Sequence, residues 1–426
     1  MGIKREIEMG LGSEHLRKEL NNLIGTGHLE VIMPDGQRME FGQIGDTPHV
    51  VVCIASRAWL RRIMVDPSFQ LGEAYMFQGL TVERGSIFDF LDLIWMNLAR
   101  QPGKPITFSH WLRNSARTAL RRLYQWNDNR KSRSNIAHHY DIGNELYRLF
   151  LDGDMQYSCA YFPDPDTPLD KAQKYKRKHI ARKLCLEPGQ RVLDIGCGWG
   201  GLALHMARED GVKVDGVTLS EEQIATARER AANSPHDSDI DFRLTDYREV
   251  SETYDRVVSV GMLEHVGYPQ FQTYFDRVAA NLKDDGLALI HTIGRPHGPG
   301  ANNPWIEKRI FPGGYIPALS ELLPAIEKAG LTVLDVEILR LHYAETLKAW
   351  RERFMANAER AAEMHDETFV RMWEFYLACS EASFRHGEHV VFQIQLGHKQ
   401  TAAPLTRDYL YTGEKTAKRD HLRRTG

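Results

Sequence analysis

The stretch Gln190–Gly201, QRVLDIGCGWGG, constrains this chain most. Apolar residues climb to Asp194, and glycines follow at 196, 198, 200 and 201. A short strand running into a Gly-rich turn and a helix start at Leu202 lets a ligand approach the backbone closely. The unpaired N–H groups of the new helix then face that ligand. The spacing is D-x-G-x-G-x-G and not the G-x-G-x-x-G of dinucleotide sites. Tight turns alone account for many Gly-rich runs, but an aliphatic strand ending in an acid favours a bound cofactor.

Strands and helices alternate from this point. VKVDGVTLS (212–220), IDFRLTDY (240–247), YDRVVSVGML (254–263) and GLALIHTIG (286–294) read as strands, with helices over Glu221–Asn233 and Tyr268–Leu282. Leu331–Leu341 and Val390–Leu396 complete seven strands, and Tyr343–Ala361 and Glu367–Phe384 are expected to be helical. Near-continuous apolar strands separated by helices predict an α/β fold: a doubly wound, mostly parallel seven-stranded sheet covered on both faces. Upstream, HLEVIMPDGQRMEF reads as a hairpin turning at Pro34-Asp35-Gly36, and Trp59–Tyr75 and Ile87–Leu98 as helices. The expected division is a smaller N-terminal α+β domain over 1–126, a polar linker over 127–135, a catalytic domain over 136–399 and a basic tail over 400–426.

Charge and cysteine usage narrow the function classes. A net charge of −3 over 426 residues argues against wholesale nucleic-acid binding. Nine Lys/Arg against one acid fall between Arg100 and Arg133, which suits a phosphate-bearing surface. Within it, Arg113, Arg117 and Arg121 flank the apolar stripe of a helix over Trp111–Trp126, a pattern shared by interfacial helices and ordinary solvated ones. Five cysteines with no C-x-x-C pair argue against metal or disulfide scaffolding and for a reducing, cytoplasmic setting. The start MGIKREIEMG lacks an apolar core, and no run of 18 apolar residues occurs, so neither a signal peptide nor a membrane span is expected.

Ligands of doubly wound sheets sit beyond the carboxyl ends of the strands. Asp194, Gly196 and Gly198 end the first strand, and Thr218-Leu219-Ser220 the second. No acid stands there for ribose hydroxyls; Gln223, one turn into the next helix, is the substitute. Asp246 and Tyr247 end the third strand, Glu264 and His265 follow the fourth, and His291 lies in the fifth.

The D-x-G-x-G-x-G turn resembles motif I of the class I S-adenosylmethionine-dependent methyltransferases. HHYDIGNELYRLFLDGDMQYSCAYF, VLDIGCGWGG, VTLSEEQ, GMLEHVG, LIHTIG and HYAETLKAW occur in this order across roughly 136–397. Together they resemble the cyclopropane-fatty-acyl-phospholipid synthase family, relatives of the mycolic acid cyclopropane synthases. The resemblance implies methylene transfer from S-adenosylmethionine to a cis double bond of an unsaturated phospholipid acyl chain. It also implies a peripheral site at the inner face of the membrane and a possible homodimer. The implied cofactor set is Tyr157, Ser158, Asp194, Gly196, Cys197, Gly198, Trp199, Gly200, Thr218, Leu219, Ser220, Gln223, Asp246 and Tyr247. Cys159, Glu264, His291, Tyr343 and the backbone of Ile293 match the family's ligands for a bicarbonate that acts as base. Tyr140, Tyr157 or Phe162 would face the cation formed on the acyl chain. Cys379 matches a cysteine at times counted as catalytic, although its helical apolar setting reads as structural burial. An enzyme giving a methylene- or methyl-branched chain, and a methyltransferase for a soluble acceptor, remain as alternatives. A lipid-binding scaffold with a dead methyltransferase fold would show eroded glycines or a lost Glu264, and neither is seen.

Overall fold

The computed structural model describes residues 14–100 and 143–411. The basic stretch beyond Arg100, with its Arg113, Arg117 and Arg121, lies outside the described residues, as do Tyr140 and the end of the basic tail. After a helical segment (α1, residues 14–23) come β1 (His28–Ile32), β2 (Arg38–Gly42) and β3 (His49–Ile54). Then follow α2 (Arg57–Val65), α3 (Pro67–Met76), β4 (Leu80–Arg84) and α4 (Ile87–Ala99). β1 and β2 form the expected hairpin, closed by Met33 N–H to Gln37 O at 2.8 Å around Gly36 (φ +84°). The expected helix over 59–75 is in fact two. Asp66 leaves helical geometry and Pro67 begins α3, where its missing N–H costs nothing. The small sheet has the order β2-β1-β3-β4, with β1 and β3 parallel.

The second unit opens with α5 (Asn144–Arg148) and α6 (Leu169–Lys183). It continues through β5 (Arg191–Ile195), α7 (Gly201–Asp210), β6 (Lys213–Thr218), α8 (Glu221–Ala232) and β7 (Ile240–Leu244). β8 (Tyr254–Val260), α9 (Phe271–Asn281) and β9 (Leu282–Gly294) follow. Two helices absent from the sequence reading, α10 (Pro304–Arg309) and α11 (Leu319–Lys328), precede β10 (Thr332–Leu339). The chain closes with α12 (His342–Ala356), α13 (Ala358–Met364), α14 (Glu367–Arg385) and β11 (Val390–Gly397). The seven strands lie in the order β10-β11-β9-β8-β5-β6-β7. β11 runs antiparallel to both its neighbours and the remaining pairs are parallel. Strands such as β9 and β11 are buried along most of their length, as both-face coverage requires. The chain steps outward from β5 through β6 to β7 and then returns to β8 on the other side of β5. That reversal opens a crevice at the carboxyl ends of β5, β6 and β8.

The small sheet and the second unit share one apolar core, and α14 packs against both α3 and α4. Polar contacts lock this seam. Arg309 donates Nε and Nη2 to the Glu73 carboxylate (2.8 and 2.7 Å), the Tyr75 hydroxyl donates to Glu374 (2.6 Å), and His386 Nε2 meets Asp92 (2.7 Å). Trp305 lies so close to α3 that a Cβ on Gly72 would come within 2.5 Å of its ring. Among the described residues, no helix is long and apolar enough to cross a membrane.

Candidate active site

A cleft of about 1120 Å³, its open mouth included, occupies the crevice. Its floor is the turn after β5: Asp194, Ile195, Gly196, Cys197, Gly198 and Trp199 all line it. Gly198 takes a left-handed φ of +55°, and a Cβ there would meet no protein atom within 4 Å, so the backbone is bared to the cleft. Gly200 differs. It caps α7 at φ +78°, lies outside the lining, and a Cβ there would strike Phe242 at 2.6 Å. Thr218, Leu219 and Gln223 line the second wall, with the Thr218 hydroxyl donating to Gln223 Oε1 at 3.1 Å. Ser220 instead caps α8, accepting from the Gln223 N–H at 3.3 Å. Tyr247 lines the third wall. Asp246 does not; both its oxygens accept from Arg248, at 2.8 and 2.7 Å, and hold that side chain at the cleft.

The opposite wall is the segment 155–158, held by buried polar groups. Asp152 accepts from the Gln156 N–H at 2.7 Å, and Arg177 and Arg230 grip Asp154 at 2.5 and 2.9 Å. From α6, Gln173 donates to the Ser158 carbonyl (2.9 Å). Lys176 Nζ donates to Gln156 Oε1 (2.5 Å) and Ser158 Oγ (2.9 Å). Burial pulls the Lys176 ammonium down to about 7. The Tyr157 hydroxyl pairs with that of Tyr376 at 2.8 Å, and its ring joins Tyr147, Phe150 and Trp350 in an aromatic cluster. Asp194 is buried with no partner for Oδ2; desolvation lifts its carboxyl to about 7 against the pull of Lys176. An unpaired buried carboxylate oxygen beside an exposed glycine turn is an acceptor waiting for a cationic donor from a ligand.

A second set of residues lies outside this lining. Glu264 is half-buried, and desolvation raises its carboxyl to about 7 against the hydrogen bonds of the Ile293 N–H, at 2.6 Å to Oε1, and of the Thr292 side chain. His291 is buried in β9, and desolvation, with smaller contributions from the nearby side chains of α6, holds its ring neutral against the pull of Glu337. Burial also pushes the Cys159 thiol far up, so it is not a thiolate.

Residues 127–394 match the family model described as mycolic acid cyclopropane synthetase, more than half of the chain. The chain belongs to this family. A separate model, a domain of unknown function, matches 16–99. A probable fatty acid methyltransferase of Pseudomonas putida is 42% identical over 67% of this chain and 75% of its own length. The cyclopropane-fatty-acyl-phospholipid synthase of Escherichia coli K12 is 39% identical over 79% of this chain and 85% of its own. Among solved structures, the mycolic acid cyclopropane synthase CmaA1, complexed with SAH and CTAB, is 32% identical with a TM-score of 0.59. It covers 64% of this chain and 99% of its own. Membership of the mycolic acid cyclopropane synthetase family makes the chain an S-adenosylmethionine-dependent enzyme of the cyclopropane synthase and fatty acid methyltransferase type.

Within that family frame, the structure divides the sequence-derived set. Tyr157, Ser158, Asp194, Gly196, Cys197, Gly198, Trp199, Thr218, Leu219, Gln223 and Tyr247 line the cleft; Gly200, Ser220 and Asp246 sit behind it as caps and supports. Cys159, Glu264, His291, Ile293 and Tyr343 do not line it, and of these Glu264 and Ile293 bond directly. That bond engages the backbone N–H expected to serve an anion. Cys379 is buried in α14, its thiol pushed up to about 12, near Trp95. Sequence reasoning missed Met155, Gln156, Arg248, Met262 and the supporting Lys176. Lys176 is one of seven basic residues in α6, and nothing in their spacing tells a buried ammonium from the solvated ones.

Proposed function

We propose that this enzyme adds a methylene group from S-adenosylmethionine across the cis double bond of an unsaturated phospholipid acyl chain, closing a cyclopropane ring. The observation that carries this reading is Glu264, a carboxyl raised by burial whose Oε1 accepts from the Ile293 N–H, two residues from Met262 and next to His265 of the cleft lining. The cofactor, when bound, supplies an electrophilic methyl group. The unpaired Asp194 oxygen and the bared backbone at Gly198 fit its methionine end, and Gln223 and Tyr247 its nucleoside.

An alkene is a weak nucleophile, so this chain's contribution is alignment in a dry pocket. The ring of Tyr157 and its aromatic neighbours present faces that favour a cation over solvent. The alkylated chain must then lose a proton from its new methyl group for the ring to close, which leaves a net gain of CH₂. A bicarbonate ion would supply the base, with Glu264 Oε2 accepting its O–H and His291 and Tyr343 offering donors. Such an arrangement keeps a permanent protein nucleophile away from the cation.

The Pseudomonas relative's name supports a second reading in which the same alkylation ends in a branched chain. One experiment separates them. Purified protein, S-adenosylmethionine and vesicles of cis-monounsaturated phosphatidylglycerol are incubated with and without bicarbonate, and the acyl products analysed as methyl esters by mass spectrometry. A bicarbonate-dependent gain of one CH₂ as a saturated ring supports the synthase reading. The same gain with a surviving double bond transfers the assignment to the branching enzyme, and no gain on lipid points to a soluble acceptor. Docking on the anionic bilayer through the Arg100–Arg133 stretch belongs to the same proposal. Replacing Arg113, Arg117 and Arg121 with Glu should release the protein from vesicles, and unchanged pelleting would refute that part. A homodimer is likewise proposed, and light scattering that gives the monomer mass would remove it.

A further inference from the structure

Glu337 on β10, Gln393 on β11 and His291 on β9 are direct cross-strand neighbours, forming one row across three strands of the large sheet. Gln393 is fully buried, and its side-chain Nε2 lies 3.1 Å from His291 Nδ1. At the far end of the row, Glu337 is engaged by His179 Nε2 and Lys183 Nζ, both at 2.6 Å, one turn apart on α6. Burial leaves the His291 imidazole uncharged with a single ring proton.

An amide nitrogen donates and cannot accept. Facing Nδ1, it requires a lone pair there, and the ring proton must then sit on Nε2. We infer that Gln393 is a positioning residue that fixes His291 as the Nε2–H tautomer and makes that nitrogen a hydrogen-bond donor to an anion. The opposite orientation, carbonyl oxygen toward Nδ1, would draw the proton to Nδ1 and leave Nε2 as a bare acceptor that repels an anion. The functional half of this inference rests on the anion-assisted reading above; the tautomer itself does not.

The test uses the full chain labelled with ¹⁵N-histidine, with the His291 signals assigned by their loss in His291→Gln. One- and two-bond couplings at neutral pH should place the proton on Nε2. Gln393→Glu puts an acceptor opposite Nδ1, so the proton should move to Nδ1. Turnover on the vesicles above should then fall about 10–100-fold, in the range of losses when a partner orienting a functional histidine is removed. Affinity for S-adenosylhomocysteine should not change. Should Gln393→Glu fail to fold, Gln393→Met removes the partner altogether and should yield both tautomers. An Nδ1–H signal in the wild type, or an Nε2–H signal that persists unmixed in either variant, overturns the inference. An Nε2–H tautomer in an enzyme whose turnover ignores bicarbonate would instead sustain the tautomer and defeat the anion-assisted reading.

Discussion

Replacing Asp194 with Asn should make the ligand-free protein more stable at alkaline pH while removing its hold on the cofactor. Asp194 ends β5 inside the fold with Oδ2 unpaired, and desolvation raises its carboxyl to about 7. In the unfolded chain such a group ionises near 4, about the ordinary aspartate value. The folded state therefore binds this proton more tightly. The resulting stabilisation is fully present below about pH 4 and is lost as pH rises through 7. Between pH 5 and pH 8 the loss comes to about 3 kcal/mol, at about 1.4 kcal/mol per pH unit. Asparagine has no proton to lose. Chemical denaturation of both proteins at pH 5 and pH 8 should show the Asn variant gaining on the wild type by up to about 3 kcal/mol over that interval. Calorimetric titration with S-adenosylhomocysteine at pH 8 should show affinity lower by about 10–100-fold, the loss of one charge-assisted hydrogen bond. A stability difference independent of pH would refute the buried-charge argument, and unchanged affinity would refute the cofactor assignment.

Glu264→Gln should retain S-adenosylhomocysteine binding and lose turnover, and the wild-type rate should climb as pH rises through about 7, where the buried carboxyl ionises. A near-normal variant rate, or a flat profile through neutrality, would remove Glu264 from the mechanism. Gly198→Ala and Gly200→Ala should separate binding from packing. Both strain a left-handed backbone, at about 1–2 kcal/mol; the first otherwise projects a methyl into open cleft and should weaken cofactor affinity. The second meets Phe242 and should cost about 2–5 kcal/mol of stability, from a strained left-handed backbone plus overpacking. Equal melting temperatures for the two would contradict this. Cys379→Ala should keep full turnover, because burial holds that thiol protonated; a loss of activity in a stably folded variant would reinstate a catalytic thiol.

The large sheet was readable because apolar-rich strand segments alternate with helical ones, and β5 and β6 carry residues with evident chemistry at their carboxyl ends, Asp194 and Thr218. The helices α10 and α11 were not. One has six residues and the other carries Pro324 in its interior, so neither presents a clean helical period. The break at Pro67 was visible, yet the apolar spacing on both sides of it stays in phase and hides it. Strand-end residues of the cofactor cleft follow from chain order alone. The supports behind them need contacts that no local pattern encodes. Lys176 reaches Ser158 across 18 positions, Ile293 reaches Glu264 across 29, and Gln393 reaches His291 across 102.

The seam between the small sheet and α14 also governs the order in which this protein can be made. α3 and α4 leave the ribosome long before Glu367, the first residue of the helix that packs against both. At synthesis rates of roughly 5–20 residues per second, that interval lasts roughly 15–50 s. During it the faces of α3 and α4 that pack against α14 in the finished fold lack that partner. The nascent N-terminal unit thus waits for its last packing partner until the C-terminal helices arrive. Mutations in α14 should surface in cells first as lost yield of the whole chain.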